Sequence, residues 1–479
     1  FKAATLFKKL HITAQRMSHF FISAAHKSSG KTTISLGLCA ALTAKNLKVR
    51  PFKKGPDYID PMWLAKASGH ACHNLDFNTM EVEEIKQTFL DHSTGGDISL
   101  IEGNKGLYDG LDLDGSNSNA ALAILLYAPV VLVIDARGMT RGIAPLILGY
   151  QAFEQTLNIA GVILNQLGGS RHESKLRAVI DHYTDVPVIG AVHRDKELEI
   201  VERHLGLVPS NELDQAQLHI ESVGQRIADQ VNLDSLIQIA NKAPLPDLLE
   251  PKQVATSFKL ETACRIGIAK DTAFGFYYPG DLDAFEQAGA KLIYVDTLHD
   301  QTLPDIDGLF IGGGFPETQM AALESNNSMR QSIRQAIDAG LPVYAECGGL
   351  MYLTRSLTWK DQKCEMVGAI PADTVMHFRP MGRGYVKIRE TEQHPWPMAT
   401  STGRASEIAA HEFHYSSLEN SGVVKYAYDV LRGTGIDGSH DGIIHKNVLG
   451  CYSHLRDVNQ NHWVQRFLQF VQQHKLENS

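Results

Sequence analysis

The most specific run in the chain is Leu341–Pro342–Val343–Tyr344–Ala345–Glu346–Cys347–Gly348–Gly349–Leu350–Met351. A short apolar strand delivers a cysteine into two glycines, and a helical pattern follows. That layout is a nucleophile elbow, a tight strand-to-helix turn that lifts one side chain into a pocket. The helix N-terminus beneath the thiol is expected to lower its pKa and favour thiolate. Upstream, Phe310–Ile311–Gly312–Gly313–Gly314–Phe315–Pro316–Glu317 ends another strand in three glycines, whose N–H groups suit an oxyanion hole. Gly313, Gly314 and the elbow residue Gly348 are the candidates for it. A cysteine nucleophile needs a base, and His454 in Gly450–Cys451–Tyr452–Ser453–His454–Leu455 follows a further apolar strand. A lone buried cysteine is ordinarily inert packing. Here the glycine loop, the elbow and the late histidine agree on acyl transfer, with Cys347 and His454 as the catalytic pair.

A second chemistry sits near the start. Phe20–Phe21–Ile22–Ser23 reads as a strand, and Ala24–Ala25–His26–Lys27–Ser28–Ser29–Gly30–Lys31–Thr32–Thr33 then opens a helix. Such a loop turns backbone N–H groups and the helix dipole toward phosphate. Ser29, Gly30, Lys31, Thr32 and Thr33 are the candidate nucleotide contacts, with Lys31 on the outer phosphates and Thr32 on Mg²⁺. The strict pattern carries an early glycine with four residues between it and the Gly-Lys pair, and this loop lacks it. Magnesium also needs carboxylates. Asp57, in Lys53–Lys54–Gly55–Pro56–Asp57–Tyr58–Ile59–Asp60–Pro61, and Glu102, in Leu100–Ile101–Glu102–Gly103, lie at strand ends, where open α/β sheets place ligands. Asp109, in Gly106–Leu107–Tyr108–Asp109–Gly110, is a weaker candidate for a substrate or phosphate contact, because Asp-Gly is also a plain turn signal. Lys53, Lys54, Arg137, Arg141 and Arg171 form a group that could grip substrate carboxylates. His411–Glu412–Phe413–His414 has two histidines three apart but no third strong ligand nearby, so it reads as structural or interdomain rather than metal-binding.

These groups must be positioned by more than one core, since 479 residues exceed what a single ordinary core organises. Up to residue 240 apolar runs alternate with amphipathic segments, the pattern of a parallel sheet. The expected strands are Phe20–Ser23, Val49–Lys53, Ile98–Glu102, Val130–Asp135, Ile159–Leu164 and Val188–Ala191. The expected helices include Lys31–Ala44, Val82–Leu90 and Ala144–Phe153. Pro244, Pro246 and Pro251 break the pattern over 241–262, which reads as a linker. The alternation resumes over 263–479 with Arg265–Ala269, Lys291–Val295, Gly308–Ile311 and Pro342–Tyr344, separated by helices such as Asp281–Ala288 and Ser328–Ala339. Residues 1–16 are read as a leader outside the fold, because Met17 directly precedes the first strand. The fold class is therefore α/β in two domains, a synthetase-like domain at 17–240 and a nucleophile-bearing one at 263–479.

The net charge of −9 argues against general nucleic-acid binding. The greasiest stretch, Leu122–Ile134, is divided by Pro129 and does not span a bilayer. Six scattered cysteines without a Cys-x-x-Cys pair suit a reducing cytoplasm. The partners expected are small molecules, neither nucleic acid nor membrane, and a homodimer is the assembly carried forward.

Taken in order, the phosphate loop, Gly-Pro-Asp-Tyr-Ile-Asp-Pro, Glu-Gly with Asp-Gly, and the cysteine elbow resemble the cobyrinate a,c-diamide synthase family from Met17 onward. Asn74–Leu75–Asp76, Asp135–Ala136–Arg137–Gly138–Met139 and His411–Glu412–Phe413–His414–Tyr415–Ser416 are similar to that family too. The N-terminal half looks like dethiobiotin synthetase in its ATP-site layout, and the C-terminal half resembles a class I glutamine amidotransferase. The resemblance implies that ATP phosphorylates a peripheral carboxylate of a tetrapyrrole and that ammonia from glutamine displaces the phosphate, at a and c in turn. It also implies Cys347 as nucleophile, His454 as its activator, and Gly30–Thr33, Asp57 and Glu102 as the nucleotide and metal site.

Class I enzymes usually carry a glutamate two residues after the histidine. Here that position is Arg456, so either a dyad suffices or another acid serves. Phe77–Asn78, Asn104–Lys105 and Ser116–Asn117–Ser118–Asn119 also differ from the corrinoid pattern, which makes a siroheme or sirohydrochlorin amidase the alternative. A partition-type regulatory ATPase is a more distant one, in which a sensing domain would have no use for both Cys347 and His454.

Overall fold

The computed structural model describes residues 17–198, 202–203, 206–212, 215–247, 258–397 and 407–477. Residues 1–16, expected from the sequence to be a leader, and part of the proline-containing stretch lie outside them. The chain divides into two units, with the boundary between Glu250 and Pro251 and with Asn78–Glu81 grouped with the second.

The first unit is built on seven strands, β1 (Ser18–Ala24), β2 (Val49–Lys54), β3 (His73–Leu75), β4 (Ile98–Glu102), β5 (Val130–Asp135), β6 (Ile159–Leu167) and β7 (Val188–His193). They form one parallel sheet in the order β3-β2-β4-β1-β5-β6-β7. β1, β4 and β5 are buried along their whole length. That burial on both faces explains why they read as unbroken apolar runs rather than alternating ones. Because β1 lies between β4 and β5, the loop that follows it opens at the carboxyl edge of the sheet, where ligands bind in such folds. Helix α1 (Lys31–Ala44) follows that loop and crosses α2 (Ala216–Gln230) closely. A methyl on Gly37 would meet Ile227 Cγ1 at 2.3 Å, so the crossing requires hydrogen there.

The second unit holds a nine-stranded mixed sheet made of β8 (Arg265–Ala269), β9 (Lys291–Val295), β10 (Gly308–Ile311), β11 (Val343–Glu346), β12 (Gly382–Glu390), β13 (Glu407–His414), β14 (Lys425–Arg432), β15 (His440–His445) and β16 (Val448–Cys451). The order is β9-β8-β10-β11-β16-β15-β14-β12-β13. β9, β8, β10, β11 and β16 run parallel, and the remaining strands add antiparallel to the β16 edge. α3 (Asn327–Asp338) buries Met329, Ile333 and Ile337 in the core and presents its other faces to solvent.

The expected α/β architecture is present in both units, and the expected strands are all found. The helices Ser170–Tyr183 and Ala216–Gln230 were not foreseen. Ser170–Tyr183 buries only Leu176 and Ile180, too thin an apolar stripe to stand out. The antiparallel extension β12–β15 was not foreseen either. Among the described residues no helix is long and apolar enough to cross a membrane.

Candidate functional site

In the second unit β11 ends at Glu346, and Cys347 turns the chain at φ +45°, ψ −100° before the helix Gly348–Leu353. A non-glycine residue there is strained, and the strain holds the thiol out of the sheet. The Cys347 N–H donates to the Cys451 carbonyl at 2.7 Å, and its thiol faces the Phe413 carbonyl at 3.9 Å. Glu346 and Cys451 are register partners on adjacent parallel strands. The residues following β11 and β16 therefore emerge side by side at one sheet edge, which is how Cys347 and His454 come to share a site across 107 positions of sequence.

The glycine loop closes over this edge. A methyl on Gly348 would meet Gly314 N at 3.0 Å, one on Gly314 would meet the Ala273 carbonyl at 2.0 Å, and one on Gly313 would meet His454 Cε1 at 2.7 Å. Gly314 is thus required by close approach to backbone, while Gly348 and Gly313 sit tightly against the loop and the imidazole.

His454 is buried, and its Nδ1 faces Glu346 Oε2 at 3.3 Å. Glu346 Oε1 accepts from the Leu455 N–H at 2.9 Å and from the Tyr344 hydroxyl at 2.6 Å. Glu346 was not foreseen, although it carries the same signal as Glu102, an acid closing a buried apolar strand. The His411 ring stacks on His454 with centroids 4.8 Å apart, and its Nδ1 lies 3.3 Å from the Tyr278 hydroxyl. Burial, then the neighbouring His454 and Arg456, holds His411 well below the ordinary histidine range. Neutral at rest, it is a polar packing partner for the ring above. Arg456 lies over the Tyr278 ring at 5.0 Å.

The expectation that the helix lowers the thiol pKa is corrected. Burial first, then the Glu317 carboxylate, pushes Cys347 well above the usual thiol range, against a smaller opposing pull from the Gly348 N–H. The helix has six residues and the cysteine is only 7% exposed, so desolvation is the larger influence on the thiol. The resting group is a thiol and needs a base. Alkylation of Cys347 by iodoacetamide, followed by peptide mapping, is therefore expected to be slower than for a free cysteine near pH ~7 and to climb with pH beyond ~9. A rate above the free thiol near neutrality would reveal a resting thiolate.

In the first unit Gly30 caps α1 at φ +85°, and Ser28 takes φ +65°, so a serine supplies a left-handed turn in a loop without the early glycine. Asn165 Nδ2 holds the loop by donating to the Ser29 carbonyl at 2.8 Å. Lys31 is buried and donates to the Lys105 carbonyl at 2.6 Å. Burial first, then Lys53, lowers its ammonium to about 8. A phosphate would restore the missing countercharge.

Next to it Lys53, also buried, donates to Glu102 Oε1 at 2.6 Å and to Asp60 Oδ2, with Asp57 Oδ2 at 3.5 Å. The Thr32 hydroxyl lies 3.2 Å from both Asp60 Oδ2 and Glu102 Oε1. Burial raises Glu102, and burial with the Asp60 carboxylate raises Asp57 to about 7, although 32% of the Asp57 side chain meets solvent. Asp60 moves the other way; burial opposes ionisation there, but Lys53 overcomes it. Glu102 Oε2 is buried and meets no hydrogen-bond partner among the described residues. Three carboxylates and a hydroxyl are the hard oxygen set that magnesium selects, and the unpartnered Oε2 fits such an ion. Asp60, not foreseen from the sequence, joins Thr32, Asp57 and Glu102 here.

Asp57 also serves as a turn former, its Oδ1 accepting from the Ile59 and Asp60 N–H groups at 3.0 and 3.2 Å. Asp109 Oδ2 accepts from the Gly106 N–H at 2.8 Å, so it shapes the loop after β4. Asn119 accepts from the Asn104 N–H at 3.1 Å and donates to the Gly106 carbonyl at 2.8 Å. Two segments that read as separate departures thus fold onto each other beside Lys31. Of the basic group, Lys53 is committed to the carboxylates, Arg137 pairs with Asp135 through both oxygens, and Arg141 lies over the Tyr183 ring at 5.1 Å.

Residues 21–208 match the CobQ/CobB/MinD/ParA nucleotide binding domain, and residues 265–461 match the CobB/CobQ-like glutamine amidotransferase domain. The chain is 44% identical over 454 residues to a protein of Magnetococcus marinus named cobyrinate a,c-diamide synthase, covering 94% of this chain and 96% of that one. It is 41% identical over 467 residues to a protein of the same name from Methanosarcina acetivorans, covering 91% and 92%. A third of that name, from Archaeoglobus fulgidus, is 38% identical over 449 residues, covering 93% and 96%.

Proposed function

We propose, from the premise that the chain belongs to the cobyrinate a,c-diamide synthase family, that it converts the a and c side-chain carboxylates of a tetrapyrrole into amides, using ATP and glutamine. The observation that carries this is the strained Cys347 elbow beside His454 and the Gly313–Gly314 backbone. A nucleotide-binding unit in the same chain explains what the released nitrogen is for. The synthetase domain occupies 17–240 and the glutaminase domain 263–479, joined through 241–262.

At the second unit His454 takes the Cys347 proton, and the thiolate attacks the glutamine carboxamide carbon. Gly313, Gly314 and Gly348 receive the developing oxyanion. The imidazolium returns its proton to the leaving nitrogen, the C–N bond breaks, and ammonia departs from a γ-glutamyl thioester. Water, deprotonated by His454, then hydrolyses the thioester and restores the thiol.

At the first unit the Ser29–Thr33 loop cradles the ATP phosphates and Lys31 takes the outer ones. Thr32, Asp57, Asp60 and Glu102 would hold Mg²⁺, which would neutralise charge on the transferring phosphoryl group. The substrate carboxylate takes that group to become an acyl phosphate, and ammonia displaces the phosphate. The Asn104–Lys105 and Ser116–Asn119 segments, packed together beside Lys31, are the local reason to keep sirohydrochlorin as a second substrate reading.

Incubation with ATP, glutamine and separate tetrapyrroles, read by mass spectrometry, tests the proposal. Cobyrinate or hydrogenobyrinate is expected to gain two acid-to-amide changes. Amidation of sirohydrochlorin alone would move the substrate to the second reading, and ATP-independent or absent amidation of all of them would overturn the function.

A further inference from the structure

The position two residues after His454, where an orienting glutamate is usual in class I enzymes, holds Arg456. The geometry points to Glu346, the residue immediately before the nucleophile, as the group that orients His454 and fixes its tautomer. This rests on the reading that Cys347 and His454 hydrolyse glutamine, and it names a positioning residue for that reaction.

Three observations converge on Glu346. It is buried, only 2% exposed, and a carboxylate in such a place must be held by donors. Two donors grip Oε1, the Leu455 N–H and the Tyr344 hydroxyl. Oε2 is left toward His454 Nδ1. A carboxylate offers only acceptors, so the ring presents Nδ1–H to it, and Nε2 keeps its lone pair. That is the tautomer a base needs to accept the thiol proton. The His454 ring cannot slide away from this contact, because His411 stacks on one face and Gly313 lies against Cε1. When His454 takes the proton, Glu346 is the carboxylate that faces the new imidazolium.

The arrangement is economical in backbone terms. Glu346 closes β11, its register partner Cys451 closes β16, and His454 follows three residues on. The strand pairing that brings nucleophile and base together therefore brings the orienting acid with them.

The substitution Glu346→Gln separates orientation from packing. The Leu455 N–H requires the amide oxygen on its side, so the amide nitrogen would face Nδ1 and donate to it. The imidazole is then driven to the Nε2–H tautomer, which cannot act as base. In the full-length protein, glutamine-dependent amidation is expected to fall at least ~100-fold, in the sense of tautomer losses at other orienting carboxylates. Ammonia-dependent amidation, the control for folding, is expected to persist. Nitrogen-15 spectra are expected to show Nδ1–H for His454 in the unsubstituted protein and Nε2–H in the variant. The unsubstituted spectrum decides the matter even where the variant fails to fold, since Nε2–H there would overturn the assignment. Cys347→Ala is run in parallel. If it still uses glutamine, the functional reading fails. If it does not, while Glu346→Gln keeps the full rate and an unshifted pH profile, the role of Glu346 alone is overturned.

Discussion

Cys347→Ala is expected to lower glutamine-dependent amidation by at least ~10⁴-fold, the scale at which a covalent nucleophile contributes, while high ammonia at raised pH still supports product formation. The two halves of the result test different parts of the structure. The thiol stands on a turn at φ +45°, backed by the Cys451 carbonyl, with the Gly313–Gly314 loop against the elbow. The proposed nucleotide site, the Ser29–Thr33 loop with Asp57, Asp60 and Glu102, lies in the first unit and would need only an amine. Alanine at position 347 removes a buried sulfur and adds no bulk, so folding is expected to survive. Retained glutamine use would remove the elbow from the mechanism. Loss of the ammonia reaction in a folded variant would show that the two activities are not separable. Because the thiol is protonated at rest, His454→Ala is expected to approach the same loss.

Glu102→Gln is expected to abolish ATP-dependent amidation, whether the nitrogen comes from glutamine or ammonia, and to leave thioester chemistry at Cys347 in place. Removing a carboxylate from a phosphoryl-transfer metal site forfeits several kcal/mol of transition-state stabilisation, or roughly 10³-fold in rate. The competing effect is on folding. Glu102 shares Lys53 with Asp60 and Asp57, so the buried ammonium keeps two carboxylates and the glutamine oxygen. That leaves a cost of about 1–3 kcal/mol for a weakened charged hydrogen bond, small beside the effect on rate. Steady-state amidation with ammonia and a thermal melt, made on the same sample, distinguish the two. Near-normal amidation would remove Glu102 from the site, and a collapsed melting transition would make its role structural.

Much of this was legible because burial writes itself into sequence. Strands covered on both faces show as apolar runs, and an acid or cysteine at the end of such a run stands out. Glu102 was found in that way. Glu346 carried the same signal and was hidden by its neighbour, since the cysteine drew attention and the acid was sought at 456. Asp60 was hidden differently: it is the second residue of a helix that begins two residues after Asp57, and only the fold shows that both carboxylates face Lys53 and that Asp60 also meets Thr32. The antiparallel strands β12–β15 were missed because charged and polar residues interrupt them, as in Gly382–Glu390, whose burial alternates over its second half and gives no apolar run. The thiol pKa was misjudged because sequence shows that a helix follows Cys347 but not that it is one and a half turns long or how little solvent reaches the sulfur.

The placement of β16 has a consequence for biosynthesis. Among the described residues it is the last strand in chain order, yet it lies between β11 and β15 in the interior of the sheet. A ribosome-bound chain that has released β11 has already exposed its nucleophile, but one edge of that strand stays unpaired, and the base and its carbonyl support are still to be synthesised. Chains emerge at ~5–20 residues per second, and domains generally fold as units. The thiol therefore spends the translation of more than a hundred residues without its catalytic partner. On the proposed mechanism, nitrogen release then waits for the synthesis of β16 and His454. A prematurely terminated product lacking β16 would carry the cysteine and be unable to squander glutamine.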